Sequence, residues 1–98
     1  MNDQAYVARE RIMIVNERGL HARASAKFVN AVAEVPAGFD VTVAKDGTEA
    51  NGGSILGLMM LGAAKGDSVD LAVTGDPAQA DAVLAKLAAL IKDGFGEN

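Results

Sequence analysis

The apolar residues of this chain repeat with two different periods, and the period changes along the sequence. Val69, Leu71 and Val73 alternate with small or polar residues, which is the period of a half-buried strand. From Val83 to Ile91 the apolar residues instead recur every three or four positions, which is the period of an amphipathic helix. Because each pattern buries one continuous face only in its own secondary structure, the sequence predicts a domain that contains both strands and helices.

Strand and helix patterns follow one another in the order βαββαβα. The strand patterns cover residues 7–15, 41–45, 48–51 and 69–73, and the helix patterns cover residues 22–35, 54–61 and 76–92. Strands that bury one face need other elements packed over that face. We therefore predict an α+β open-faced sandwich, in which three helices cover one face of a four-stranded antiparallel sheet.

Turn and cap signals mark three boundaries between these elements. Asp46-Gly47 is typical of a type I′ hairpin, so residues 48–51 should pair back onto residues 41–45. Asp76-Pro77 is typical of a helix start, because aspartate caps free N–H groups and proline is tolerated at the first helical position. Pro36-Ala37-Gly38 should end the first helix.

Length and charge restrict the classes of function that are open to the chain. Its 98 residues suffice for one modest core, so residues 1–98 are predicted to form a single domain. The formal net charge is -4 and only 4% of the residues are aromatic, so the chain lacks the basic surface and stacking rings of a general nucleic-acid binder. A polybasic membrane patch is missing as well. The sequence therefore predicts no nucleic-acid partner and no membrane partner.

The absence of cysteine and the single histidine narrow the chemistry further. Without cysteine the chain forms no disulfide, no thiolate nucleophile and no cysteine-ligated zinc site. His21 is the only imidazole, which excludes a histidine-rich metal site, and we expect neither metal nor cofactor. The sequence opens on no signal-peptide pattern, and the apolar run from Ile55 to Ala64 is about half of the ~20 residues that a membrane-spanning helix needs. We expect a soluble, cytoplasmic monomer.

His21 stands immediately before the first predicted helix, with Arg23 two residues later. A helix N-terminus offers unpaired N–H groups and a partial positive charge, and both favour a bound phosphate. An unprotonated imidazole there can accept a phosphoryl group, which Arg23 can hold with its guanidinium fork. Composition alone favours a plainer interpretation, in which His21 is a surface histidine beside a solvated arginine.

Two segments of the chain carry a more specific pattern. Gly19 to Ala26 reads GLHARASA, and Asn51 to Leu61 reads NGGSILGLMML. The first resembles the active-site segment of the HPr family, the histidine-containing phosphocarriers of the bacterial phosphotransferase system, and the second resembles the family's regulatory-serine segment. The resemblance includes Ala64 to Asp67, extends over roughly residues 7–93 and implies the same βαββαβα order.

The resemblance implies roles for three side chains and for the backbone beside them. His21 would accept the phosphoryl group on a ring nitrogen, and Arg23 would steady the phosphoryl oxygens. Ser54 would be the site of regulatory phosphorylation. The N–H groups of Ala22, Arg23 and, in one interpretation, Ala24 would bind the phosphate.

The resemblance also implies protein partners and a docking surface. Enzyme I would deliver a phosphoryl group that originates from phosphoenolpyruvate, a IIA-type acceptor would remove it, and an ATP-dependent HPr kinase would modify the serine. The chain would then be a stoichiometric relay and not an enzyme. The residues that would contact these partners are Leu20, Ala26, Asn30, Ile55, Leu56 and Met59.

Two positions depart from the family pattern. Many relatives have proline where this chain has Ala24, and alanine adds one N–H donor to the first helical turn, which either contacts the phosphate or faces water. Relatives often have a basic residue before the serine, whereas this chain has Gly53. This difference weakens the expectation that an HPr kinase recognises Ser54. Gly52-Gly53 itself is predicted to be a turn and not a nucleotide site, because no GxxxxGK[ST] pattern surrounds it.

Other interpretations remain open. Ser54 can act only as an N-cap, and the apolar run from Ile55 to Met60 can be buried core, although a helix this short should leave part of the run facing outward. A nitrogen-type branch of the same family would feed control proteins and no sugar permease. A small α+β ligand-binding or regulatory module would never be phosphorylated and would take up no label from phosphoenolpyruvate. A structural interaction domain that uses only the surface of residues 55–60 would make His21→Ala silent.

Overall fold

The computed structural model describes residues 6–97, and its elements follow the predicted order βαββαβα. The strands are β1 (Tyr6–Met13), β2 (Asp40–Lys45), β3 (Thr48–Asn51) and β4 (Ser68–Gly75), and the helices are α1 (Ala22–Ala33), α2 (Ile55–Met60) and α3 (Pro77–Lys92). A short 3-10 turn, Gly94–Gly96, follows α3.

All four strands form one antiparallel sheet in the order β1-β4-β2-β3. Along β4 the side chains of Val69, Leu71 and Val73 are buried, and the residues between them are partly exposed. The same face carries buried side chains from the neighbouring strands, since Ile12 lies opposite Val69 and Val43 lies opposite Leu71. The helices pack over this face, which confirms the predicted open-faced α+β sandwich.

The turn between β2 and β3 has the predicted type I′ conformation. Asp46 and Gly47 have φ angles of 50° and 85°, and this turn type requires positive φ at both central residues. Thr48 consequently lies opposite Lys45, and the pairing continues to Asn51.

The first helix and the first strand end earlier than their periodicities predict. α1 ends at Ala33 because Val35 precedes Pro36, and the residue before a proline is disfavoured in the helical conformation. The strand ladder of β1 ends at Met13, although Ile14 still makes two backbone hydrogen bonds of 2.8 Å to the loop before β4.

The chain beyond the third helix was not predicted from the sequence. α3 begins with the predicted cap, since Oδ1 of Asp76 accepts the N–H of Ala78 at 3.0 Å, and it ends at Lys92 as expected. The 3-10 turn then buries Phe95, which is 1% exposed and has a positive φ of 58°. This turn brings Glu97 back to the loop that precedes α1.

The sheet face away from the helices is polar. Arg11 and Asp70 form an ion pair there at 2.9 Å. No helix within residues 6–97 is long and apolar enough to cross a membrane. Over the same range, histidine and acidic side chains nowhere gather into a group of three that could hold a metal ion.

Candidate functional site

The loop between β1 and α1 holds His21 in place through a close approach to residue 63. Leu20 donates its N–H to the carbonyl of Ala63 at 2.9 Å. Gly19 has a φ of 63°, and a Cβ at this position would lie 2.3 Å from the same carbonyl oxygen. Only glycine fits both this conformation and this space. The loop that carries His21 is therefore packed tightly against residue 63.

His21 is the N-cap residue of α1, as its position in the sequence predicts. Nδ1 accepts the backbone N–H of Arg23 at 3.2 Å, and Nε2 lies 2.7 Å from Oε2 of Glu97. Because a backbone N–H can only donate, Nδ1 carries no proton in this arrangement, and the ring proton is on Nε2. Nδ1 is therefore the ring nitrogen with a lone pair facing the helix N-terminus.

Glu97 is held beside the histidine by contacts of its own. Nδ2 of the fully buried Asn16 donates to Oε1 of Glu97 at 3.1 Å and to the carbonyl of Gly19 at 2.8 Å. Burial alone raises the pKa of Glu97, but the hydrogen bonds from Asn16 and His21, with the charge of Lys27, outweigh it and hold the pKa below its ordinary value. The carboxylate is consequently ionised at neutral pH.

Cationic side chains surround the open side of the site. Nζ of Lys27 donates to the carbonyl of Phe95 at 2.8 Å. A shallow pocket of about 370 Å³ lies beside the histidine and is lined by Glu17, Arg18, Arg23, Lys27, Gly96 and Glu97. Arg23 is exposed, as predicted. The three cations outnumber the two carboxylates in this lining, so the pocket at the helix N-terminus has a positive formal charge, which favours a phosphoryl group.

The first turn of α1 contains backbone N–H groups that its own hydrogen-bond ladder does not use. Ser25 donates its N–H to the carbonyl of His21 at 2.9 Å, which begins the helical ladder. Ala22 and Ala24 have no N–H acceptor among residues 6–97. Ala24 is fully buried, so its N–H does not face water in this conformation. Phosphate binding by these N–H groups remains a prediction.

Comparison with known proteins shows where this arrangement belongs. A family model described as the PTS HPr component phosphorylation site matches residues 8–93. The chain belongs to the HPr family. It is 43% identical over 90 residues to phosphocarrier protein HPr of Neisseria meningitidis serogroup A, an alignment that covers 91% of this chain and 96% of that protein. It is 36% identical over 93 residues to phosphocarrier protein NPr of Escherichia coli K12, with 92% and 97% covered.

Solved structures of HPr proteins confirm the fold. The HPr structure from Thermoanaerobacter tengcongensis matches with a TM-score of 0.82 at 35% identity, over 93% of this chain and 98% of that one. The HPr structure from Bacillus anthracis matches with a TM-score of 0.77 at 29% identity, over 87% and 96%.

Ser54 occupies the N-cap position of α2, where the likeness to HPr predicts a regulatory serine. Its Oγ accepts the N–H of Gly57 at 2.9 Å, so the capping role is confirmed. The preceding Gly52 is buried, and a Cβ there would lie 2.7 Å from Cγ1 of Val41. The two glycines before the serine thus form a turn, as predicted, in which Gly52 is packed and Gly53 is exposed. Phosphorylation of Ser54 stays a prediction.

Most of α2 faces outward. Leu58 is fully buried, whereas Leu56 is 68% exposed. Ile55, Met59 and Met60 are also exposed, and we call these four exposed side chains the α2 patch. The outward-facing part of the apolar run is thereby confirmed. α1 packs against α2 and contributes the exposed Asn30 and the half-buried Ala26.

Leu20 does not belong to this surface, and its prediction as a docking residue is wrong. The side chain is 7% exposed and packs in the core. The hydrogen bond from its N–H to Ala63 ties the loop down and turns the leucine inward.

Sequence reasoning missed Asn16, Lys27 and Glu97. Glu97 lies 76 positions after His21 in the chain, in a segment with no strand or helix period. The only available signal was Gly94-Phe95-Gly96, because an aromatic residue between two glycines suggests a turn that buries a ring. The match to the family model covers residues 8–93 and therefore gave no indication of Glu97.

Proposed function

We propose that this chain is a phosphocarrier that accepts a phosphoryl group on Nδ1 of His21 from phospho-enzyme I and passes it to a IIA-type acceptor. The observation that supports this most directly is the state of the ring. Nδ1 is unprotonated and lies 3.2 Å from the Arg23 amide nitrogen at the start of α1. A nitrogen lone pair among unpaired N–H donors is what a nucleophile toward phosphorus requires.

In the accepting step, the lone pair of Nδ1 forms a bond to phosphorus. The bond between phosphorus and the donor breaks, and its electron pair stays with the donor. The N–H of Arg23 that contacts Nδ1 in the resting ring becomes free to donate to a phosphoryl oxygen. The guanidinium of Arg23 adds charge-assisted hydrogen bonds to the other oxygens. Positioning and electrostatic stabilisation supply most of what phosphoryl transfer needs, so the chain relays the group and has no turnover of its own.

The α2 patch and the neighbouring face of α1, with Ala26 and Asn30, form the docking surface in this proposal. An exposed apolar surface on a helix that packs against α1, the helix that His21 caps, fits a partner that must cover the site during transfer. The chain acts as a cytoplasmic monomer with enzyme I and IIA-type proteins as partners. An HPr kinase modifies Ser54 and thereby regulates docking.

Incubation with enzyme I and labelled phosphoenolpyruvate tests the proposal. The wild-type chain should acquire an acid-labile, base-stable label, as a phosphorylated nitrogen gives. His21→Asn is the matched variant, because asparagine is also a good N-cap residue and preserves the helix start. This variant should keep its fold and take up no label. Label in a folded His21→Asn variant would remove His21 from the role.

A nitrogen-type branch is the second candidate, because the relatives include an NPr as well as several HPr proteins. Transfer from the labelled chain to a sugar-type IIA protein and to a nitrogen-type IIA protein, compared side by side, distinguishes the two. The faster acceptor identifies the branch. A module that is never phosphorylated predicts no label in the wild-type chain at all.

A further inference from the structure

Glu97 contacts the phosphoacceptor histidine on the side of the ring opposite the nucleophile. Its Oε2 lies 2.7 Å from Nε2 of His21, and the two side chains are 20% and 15% exposed. Water therefore screens this contact less than it screens an ion pair on an open surface. Glu97 also lies beyond residues 8–93, the range of this chain that matches the family model.

We propose that Glu97 is a positioning residue for phosphoryl transfer, whose carboxylate keeps a proton on Nε2 of His21 and stabilises the positive ring that forms when Nδ1 bonds to phosphorus. The proposal rests on the proposed function of His21 and assigns a role to the chain's C-terminal segment within it.

The charges of the step balance without any loss of a proton. The attacking ring is neutral, with its proton on Nε2 and its lone pair on Nδ1. When the N–P bond forms, the donor keeps the electron pair of the bond that breaks, and the ring retains its proton and becomes positive. When an acceptor later attacks phosphorus, the ring leaves as neutral imidazole. A carboxylate at Nε2 favours the charged ring over the neutral one, so its effect is larger once the N–P bond forms.

The structure around Glu97 fixes the carboxylate where this role requires it. Asn16 is fully buried and uses both hydrogens of its amide, one on Oε1 of Glu97 at 3.1 Å and one on the Gly19 carbonyl at 2.8 Å. Lys27 binds the carbonyl of the buried Phe95 at 2.8 Å. The turn that carries Glu97 is thus fastened to the same loop and helix that carry His21, which holds the carboxylate beside the ring.

Glu97→Gln tests the proposal because glutamine keeps the shape and one accepting oxygen but removes the charge. Glu49→Gln is the matched control, since it removes an exposed carboxylate on β3 that lines the polar sheet face. Two quantities are measured in each protein: the single-turnover rate of phosphoryl acceptance from phospho-enzyme I, and the NMR resonance of the Nε2 proton of His21 in the unphosphorylated chain.

We expect Glu97→Gln to accept phosphate about tenfold or more slowly, which is the cost of one charge-assisted hydrogen bond. Its ring proton should move upfield and exchange faster with water, while Glu49→Gln should match the wild type in both measurements. An unchanged rate with an unmoved ring proton would overturn the role of Glu97. A wild-type chain that takes up no label would overturn the function of His21 instead, so the two failures are distinguishable.

A purely structural role for the C-terminal turn is tested with Phe95→Leu, which loosens the turn but leaves the carboxylate in place. If Glu97 acts only by anchoring the turn, the two variants should lose transfer rate in proportion to their loss of thermal stability. The proposal instead predicts that Glu97→Gln is slower than Phe95→Leu even when it melts at the higher temperature. Rates that follow melting temperature alone would overturn it.

Discussion

Gly19 shows how much the site depends on one residue without a side chain. Gly19→Ala should lower the free energy of unfolding by more than about 1 kcal/mol, because the new Cβ meets a backbone oxygen at 2.3 Å and φ is positive. For a domain of this size, that corresponds to a fall in Tm of at least roughly 4 °C. Thermal denaturation measures the change. Gly38→Ala is the control, since Gly38 also has a positive φ but has nothing within 4 Å of the Cβ position. Equal losses in the two variants would show that the contact with residue 63 is unimportant.

Arg23 should matter for transfer and not for folding. Arg23→Ala removes an exposed side chain, so the melting temperature should stay close to that of the wild type. The activation free energy of phosphoryl acceptance should rise by about 1.5–3 kcal/mol, which is the range for hydrogen bonds to a charged group. Rapid-quench measurement of labelled chain gives the rate. Arg9→Ala on the polar sheet face provides the comparison, and equal rates in both variants would remove Arg23 from the site.

Single residues of the site differ in how far sequence could identify them. His21, Arg23 and Ser54 stand at helix starts inside recognisable motifs, so local sequence indicates them. Asn16 and Glu97 act through contacts with residues far away in the chain, at 3.1 Å and 2.7 Å, and no local pattern encodes such a meeting. The prediction for Leu20 was wrong for the same reason. Whether this leucine is exposed depends on how its loop packs against residue 63, which is distant in the sequence.

At the scale of elements, α2 combines a capped start with an exposed apolar side. Ser54→Asp should melt near the wild type, because aspartate is also a good N-cap residue and its charge is favourable at a helix N-terminus. Docking should weaken, since a charge next to Ile55 and Leu56 must be desolvated against a partner. The expected result is a higher KM for this chain in its reaction with enzyme I, with little change in kcat.

Ser54→Ala separates capping from docking. Loss of the Oγ that accepts the Gly57 N–H should cost about 1 kcal/mol of stability and leave the KM unchanged. If Ser54→Asp unfolds, Ser54 is chiefly a structural cap. If it is stable and reacts like the wild type, the serine is not the switch.

The elements themselves were largely predictable because each one carries its own period and its own boundary residues. The β2–β3 hairpin follows from Asp46-Gly47, and the start of α3 follows from Asp76-Pro77. The errors lie where a neighbour overrides the period, as Pro36 does at the end of α1. The 3-10 turn escaped prediction because a segment of three residues is too short to show any period.

At the scale of the whole molecule, the ionised Glu97 makes stability depend on pH. Its pKa lies below its ordinary value of 4.5 in the folded chain, so its contribution to stability is complete above that value and is lost as the pH falls through the lowered pKa. Glu97→Gln should therefore flatten the acid limb of a plot of unfolding free energy against pH, below about pH 4.5. Urea denaturation at a series of pH values measures the slope. An acid limb of wild-type steepness would show that Glu97 gains little from its partners.

Salt provides a further comparison within the same experiment. Asp70 and Glu17 also have lowered pKa values, because each accepts a hydrogen bond from a cation, Arg11 and Lys65 respectively. Both of these pairs are exposed, so added salt should weaken their share of the acid limb. The contribution of Glu97 to the acid limb should persist in salt, because its side chain is only 20% exposed. A limb that vanishes entirely at high salt would contradict this difference.

The hydrogen bond between Glu97 and His21 also predicts where the chain tolerates a label or a fusion partner. Glu97 lines the pocket beside His21, so under the proposed function a peptide attached close after this residue should compete for space with an incoming protein. β1 runs from Tyr6 toward the His21 loop, so its first residue lies about 23 Å from its last, at roughly 3.3 Å per residue. A fluorophore attached close after Glu97 should therefore report on events at the histidine, while an affinity handle belongs before Tyr6.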